Sequence, residues 1–144
     1  MKLLLTGDSI VARHEGLSEP HINAYLKENF SDIEIVNTAV PGINSRYLLA
    51  HLNELVLKQV KADYLIILIG TNDCAFHKKI EEEEFWTNLN KVAKKFLISM
   101  RLSKLFWLVH LQLMKRSREF VIMKQLKNTL IGFKELQMIM VCTI

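Results

Sequence analysis

Three short strings hold the residues best suited to chemistry: Gly7-Asp8-Ser9, Val40-Pro41-Gly42 and Gly70-Thr71-Asn72-Asp73. Ser9 offers a hydroxyl nucleophile, weak unless a neighbouring base takes its proton as it attacks a carbonyl. Gly42 has no side chain to screen its N–H, so that donor can approach a substrate oxygen closely. Asn72 carries an amide that donates to a developing oxyanion without itself titrating, and removing one such donor typically costs about 10²–10³ in rate. A nucleophile, a backbone donor and a side-chain donor are three parts of an acyl-transfer site. Each string also has a plainer reading. Gly-Asp-Ser and Pro-Gly are common in turns, and an Asn after a strand readily forms an Asx turn. Asp8 reads as a loop-ordering residue acting through side-chain to backbone bonds, not as a catalytic acid.

Such chemistry requires elements that bring distant residues together. The apolar run 3–5 predicts a buried strand leading straight to Ser9, and 33–36 predicts a second strand ending at Asn37-Thr38-Ala39. Residues 64–69 are uninterrupted and largely branched, as expected of a central strand covered on both faces. Between them lie amphipathic stretches. Ser18-Glu19-Pro20 resembles a helix start, followed by Ile22, Tyr25, Leu26 and Phe30 at helical spacing. Ser45 is a candidate cap for a helix with Leu48, Leu49, Leu52, Leu55 and Val56 as its apolar positions. Glu81 to Glu84 place negative charge at the start of a further helix, which suits its dipole, with Phe85, Leu89, Val92 and Phe96 on one face. Strand and helix alternate, the pattern of a parallel α/β sheet, and all three strings fall at carboxyl ends of strands, where such sheets bind ligands.

At 144 residues, half of them apolar, with two prolines and five glycines, the chain is read as one globular domain. No apolar run approaches the roughly 20 residues of a membrane span. The opening Met1-Lys2-Leu3-Leu4-Leu5 is too short for a signal peptide, and Cys74 and Cys142 make no disulfide framework. A reduced, cytoplasmic protein is the expectation. The net charge of +4 is unevenly spread: residues 1–96 hold 11 basic and 13 acidic residues, and residues 97–144 hold 8 basic residues against Glu119 and Glu135. Five of the six methionines also fall in that last third.

Taken in order, the three strings resemble those of the SGNH hydrolases, the GDSL-type esterases, lipases and acylhydrolases. Ser9, Gly42 and Asn72 match three of the four residues that give the family its name, and the resemblance covers about residues 1–96. It implies a flavodoxin-like three-layer α/β sandwich with a parallel sheet, incomplete at the C-terminus. Residues 1–144 then form a single domain, with 1–96 as its family-like core and 97–144 as an atypical basic segment. It further implies hydrolysis of a small acyl ester: Ser9 attacks, while the Ser9 N–H, the Gly42 N–H and the Asn72 side chain hold the oxyanion. No metal or organic cofactor and no nucleic-acid partner are implied.

The fourth residue, a histidine in an Asp-x-x-His string, is absent, and no catalytic Asp or His is identifiable. His14, His21, His51, His77 and His110 all stand in other contexts. His14 and His77 lie five residues past Ser9 and Asn72, but positioning within about 3 Å of the transferred proton matters more than residue type. An oxyanion hole and binding alone leave about 10³–10⁴ over water in a triad enzyme. Weak or absent turnover is therefore expected.

The genetic code offers one account of the atypical segment. Read one nucleotide out of register, each neighbouring pair constrains a hidden residue. Phe106-Trp107 hides Leu, Trp107-Leu108 hides Val or Ala, Met114-Lys115 hides Glu, Met138-Ile139 hides Asp and Met140-Val141 hides Gly. Permitted choices turn residues 104–116 into Ile-Phe-Leu-Val-Gly-Ser-Pro-Pro-Val-Asp-Glu-Ala, a strand and loop like the next ones of an SGNH enzyme. On this reading residues beyond Leu97 are helical or poorly packed, without the next strand in register, and the missing Asp and His are expected a few tens of residues beyond Ile144 in the original frame. Two alternatives stand beside the enzyme. One is a non-catalytic remnant or ligand-binding module. The other is a nucleic-acid or membrane-surface binder using Arg101, Lys104, Lys115, Arg116, Arg118, Lys124 and Lys127.

Overall fold

The strands form where the sequence runs apolar without interruption. The computed structural model describes residues 1–99, 104–110 and 136–141, with side chains placed for residues 1–96. Its strands are β1 (Lys2–Gly7), β2 (Glu34–Asn37), β3 (Tyr64–Ile69), β4 (Lys104–His110) and β5 (Leu136–Val141). They pair in parallel in the order β2-β1-β3-β4-β5, the flavodoxin-like arrangement. β1 is central to the site: Leu5 registers with Asn37 on one side, and Gly7 with Leu68 on the other.

Alternation along the strands makes three layers. Leu3, Leu5 and Leu68 face one side, where Val11 of α1 (Ser9–Ala12) and Ile22 and Leu26 of α2 (His21–Asn29) cover them. Leu4, Leu65, Ile67 and Ile69 face the other. There they meet Leu48 of α3 (Ser45–Ala50), Val56 of a π-helical turn at Asn53–Leu57, and α5 (Glu82–Ser99). The expected stripe of α5, Phe85, Leu89, Val92 and Phe96, is buried throughout. Burying each such side chain contributes roughly 1.5–3 kcal/mol relative to exposure. This stripe is the main anchor of that layer.

Several local expectations change. Pro20, not Ser18, sits before α2, and no side chain caps that helix. Tyr25 and Phe30 are exposed, and Asn23 is the buried residue of α2. Ser45 lies inside α3 rather than capping it. Asn44 is the cap, and its side-chain oxygen accepts from the Tyr47 N–H at 3.1 Å. The largest correction concerns residues beyond Leu97, expected to lack the next strand in register. β4 forms there, pairing from Tyr64↔Lys104 to Ile69↔Val109. The physical reason is local: Leu105-Phe106-Trp107-Leu108-Val109 is itself an apolar run with the aromatic and branched residues that suit a pleated sheet. Composition over the whole segment concealed it. Most of the proposed basic surface, Arg101, Lys115, Arg116, Arg118, Lys124 and Lys127, lies outside the described residues, and Lys104 is described by backbone alone. Among the described residues no helix is long and apolar enough to cross a membrane.

Candidate active site

Ser9 is the first residue of α1, reached from β1 through Gly7 and Asp8. The strand ends tightly. A Cβ on Gly7 would stand 2.2 Å from the Leu68 carbonyl oxygen, and φ there is +155°. Only glycine lets β1 and β3 approach this closely at their carboxyl ends. The Asp8 N–H then donates to the Leu68 carbonyl at 3.2 Å, and the Val40 N–H donates to the Gly7 carbonyl at 2.9 Å. The loops after β1 and β2 are thus tied to each other, and the loop after β1 also to the end of β3. The Asp8 carboxylate caps α1 by accepting from the Ile10 N–H at 2.9 Å, the loop-ordering role its position suggests. Asn37, at the end of β2, adds a brace: its amide donates to the Val11 carbonyl at 3.2 Å. Ser9 itself is exposed.

The loop carrying Gly42 is gripped from the other side. Asn72 lies in α4 (Thr71–Cys74), the short helix that follows β3. Its Nδ2 donates to the Ile43 carbonyl at 2.8 Å. Because the partner is a carbonyl, the amide orientation is settled, and its second hydrogen is directed elsewhere. Asp73 is buried, and its two carboxylate oxygens lie 2.9 and 3.1 Å from the Ser45 N–H. The Asn88 amide donates to the Ser45 hydroxyl at 3.2 Å. Lys78 reaches back to donate to the Gly42 carbonyl at 2.8 Å. Gly42 has φ +80°, the left-handed region. Burial, foremost, pushes the Asp73 carboxyl above its usual range, with the Ser45 hydrogen bonds opposing and the charge of Asp8 adding to the rise. Among the described residues, neither the Ser9 N–H nor the Gly42 N–H donates to another group of the chain.

All three residues singled out by sequence therefore sit at the carboxyl edge of one parallel sheet, Ser9 and Asn72 in short helices and Gly42 on a loop. The sequence matches the model of the GDSL-like Lipase/Acylhydrolase family over residues 5–109. The chain belongs to this family. The match passes residue 96 and takes in most of β4. Among curated proteins none matches the chain. Solved structures share the fold. An acetylxylan esterase from Geobacillus stearothermophilus, in a catalytic mutant, has a TM-score of 0.58 at 22% identity, covering 89% of this chain and 67% of that one. A second catalytic mutant of the same esterase gives 0.61 at 20% identity, with the same coverage. A Streptococcus pneumonia protein, provisionally described as a platelet activating factor, gives 0.66 at 21% identity, covering 96% of this chain and 65% of that one.

For a GDSL-like chain, the histidines are the weak point. His14 is exposed, with Nδ1 3.3 Å from the Leu17 carbonyl oxygen, and His77 is exposed as well. His21 has Nδ1 3.0 Å from the Arg13 carbonyl oxygen, and His51 stacks on Tyr47. Among the described residues, none of these rings hydrogen-bonds to Ser9. His110 lies in β4, described by backbone only. Nor do the described residues contain a group of three His, Cys, Asp or Glu able to hold a metal. Two residues that sequence reasoning passed over, Asp73 and Lys78, turn out to grip the Gly42 loop. Asp73 had a signal, since it directly follows Asn72 at the end of a buried strand. Lys78 had none.

Proposed function

We propose that this chain carries an ester-hydrolysing site of its family, with Ser9 as nucleophile and the Ser9 N–H, the Gly42 N–H and the Asn72 amide as oxyanion donors. The observation that carries the reading is that, among the described residues, the Ser9 and Gly42 N–H groups at the sheet edge donate to no other group of the chain. The Ser9 N–H is one of the donors that a helix start leaves without an intrahelical partner. Here the Gly42 donor stands on a loop fixed by three side chains, which is how a preorganised donor avoids reorganisation during reaction. The attack forms a bond from Ser9 Oγ to the acyl carbon, moves negative charge onto the carbonyl oxygen and releases the alcohol; water then releases the acid. A small acyl ester is the substrate class, and no cofactor takes part in this scheme.

Proton removal is the incomplete step. The 144 residues contain no Asp-x-x-His string, and a serine without a base stays a poor nucleophile at neutral pH. Triad members act as a unit, so losing the histidine removes most of their shared contribution, about 10⁶-fold in one protease. The chain as it stands is then a weak hydrolase or a binding remnant. The test is hydrolysis of p-nitrophenyl acetate by this chain, by Ser9→Ala and by a version restored to the original frame, with the Asp and His that frame is expected to encode. Equal, near-background rates for the first two and a large gain for the third are expected. Robust turnover by the 144-residue chain that disappears in Ser9→Ala would mean that another base serves, with His77 and His14 the first to examine.

A further inference from the structure

We propose that Lys78 is a positioning residue for the oxyanion site, holding the Gly42 carbonyl so that the N–H of the same residue is presented to the substrate oxygen. This rests on the Ser9 reading above. Three observations converge on it. The Lys78 ammonium donates to the Gly42 carbonyl at 2.8 Å in a part-buried setting. The same ammonium occupies the space a side chain at residue 42 would need, for a Cβ there would lie 2.8 Å from Lys78 Nζ. Glycine at 42 and lysine at 78 are therefore complementary: the missing Cβ makes room for the charge. Third, neighbouring cations have carboxylate partners and Lys78 has none among the described residues. Arg46 pairs with Glu84, and Lys79 with Glu81.

The lysine is also anchored at its base. The Lys78 N–H donates to the Ala75 carbonyl at 2.9 Å, and the Ile80 N–H to the Asp73 carbonyl at 2.9 Å. The segment after α4 is thus tied back to the helix that carries Asn72. Through Lys78 it reaches the loop that carries Gly42. One short segment sets two oxyanion donors at once: Asn72 directly, and Gly42 through its carbonyl. An ammonium has three hydrogens, and a charge-assisted bond to a carbonyl is roughly twice as strong as a neutral one. The charge so placed also favours the negative charge that develops on a substrate oxygen beside the Gly42 N–H.

Two measurements on the 144-residue chain test this. The first is amide hydrogen exchange and the ¹⁵N shift of Gly42 and Ile43 in wild type, Lys78→Met and Lys78→Arg. Ile43 shares a peptide with the Gly42 carbonyl, so its nitrogen reports the bond from Nζ. The second is the rate at which diisopropyl fluorophosphate modifies Ser9, followed by mass; the Oγ–P bond replaces the P–F bond, releasing fluoride and a proton. Lys78→Met is expected to shift the Ile43 nitrogen, speed Gly42 exchange and slow Ser9 modification about tenfold, less than losing a donor outright. Lys78→Arg should restore all three, because one donor to one carbonyl does not require the ammonium's shape. Ser9 modified equally fast in Lys78→Met and wild type overturns the proposal while leaving the Ser9 reading intact. Because a serine without a base reacts slowly, absence of label in every variant leaves the decision to the first measurement, where an Ile43 nitrogen unmoved in Lys78→Met overturns the proposal and a shifted one restored in Lys78→Arg supports it.

Discussion

The loops that carry Ser9 and Gly42 follow neighbouring parallel strands, and they are held in place by different means. The Ser9 loop is fixed mainly by backbone: the close approach of Gly7 to Leu68, the Asp8 N–H on the Leu68 carbonyl and the Val40 N–H on the Gly7 carbonyl. The Gly42 loop is fixed by side chains reaching over from the segment that follows β3, namely Asn72, Asp73 and Lys78. A backbone-determined loop fails as a unit when the strands are forced apart. A side-chain-determined loop loses its grip one contact at a time. The Ser9 loop should therefore be sensitive to sterics at one glycine, and the Gly42 loop to chemistry at several polar residues.

Gly7→Ala should have the largest effect. Its Cβ would meet a backbone oxygen at 2.2 Å, where no flexible side chain can yield. A loss of more than about 3 kcal/mol is expected, or failure to fold, since strands β1 and β3 must separate. Urea unfolding measures it. A stable Gly7→Ala protein would show that the Ser9 loop is not set by this contact, and the contrast between the two loops would collapse. Asp73→Ala comes next. It strips the acceptor from the buried Ser45 N–H, which costs about 1–3 kcal/mol. Asp73→Asn keeps one acceptor oxygen and should lose less. Equal losses in the two variants would mean that volume, not the hydrogen bond, matters at this position.

Gly42→Ala is expected to be milder than Gly7→Ala, which sharpens the comparison. With φ at +80° an alanine costs about 1–2 kcal/mol. The colliding atom is the far end of Lys78 at 2.8 Å, which can swing away. Stability should thus fall modestly, while the Lys78 bond to the Gly42 carbonyl is lost. Unfolding midpoints for the two glycine variants, measured side by side, decide the order. The reverse ranking would contradict the assignment of backbone control to one loop and side-chain control to the other.

The sequence made the strands plain where burial was complete. Residues 64–69 are apolar without a break, and Phe85, Leu89, Val92 and Phe96 repeat at helical spacing, so β3 and the buried face of α5 were legible in advance. The places of Ser9, Gly42 and Asn72 at strand ends were legible too, because each string abuts or soon follows an apolar run. The tethers were not. Ser45 and Asp73 are 28 residues apart, and Gly42 and Lys78 are 36 apart. Nothing local marks a lysine that acts on a distant carbonyl, or a serine that gives its N–H to an aspartate instead of capping a helix. β4 was missed for the opposite reason. A basic, methionine-rich average over residues 97–144 outweighed the five-residue apolar run inside it.

The smallest expected effect is on pH dependence, and it isolates Asp73 from every other group. Burial holds its folded-state carboxyl above the ordinary value, with the charge of Asp8 adding to the rise against the pull of the Ser45 hydrogen bonds. The unfolded chain titrates near the ordinary aspartate value of about 3.9. Between those two values the folded chain binds more protons than the unfolded one, so stability declines as pH rises through that window. The contribution of Asp73 is fully present below the unfolded value and lost as pH climbs through the folded one. Asp73→Asn has no such proton to lose. Glu84, held below its ordinary value by Arg46, titrates in the opposite sense, but it is common to both proteins and largely cancels in their difference. Unfolding free energies of wild type and Asp73→Asn, compared from about pH 4 to about pH 7, should show wild type losing ground to the variant as pH rises. If wild type gains instead, the hydrogen bonds from Ser45 outweigh desolvation, and Asp73 grips the Gly42 loop best as a full carboxylate.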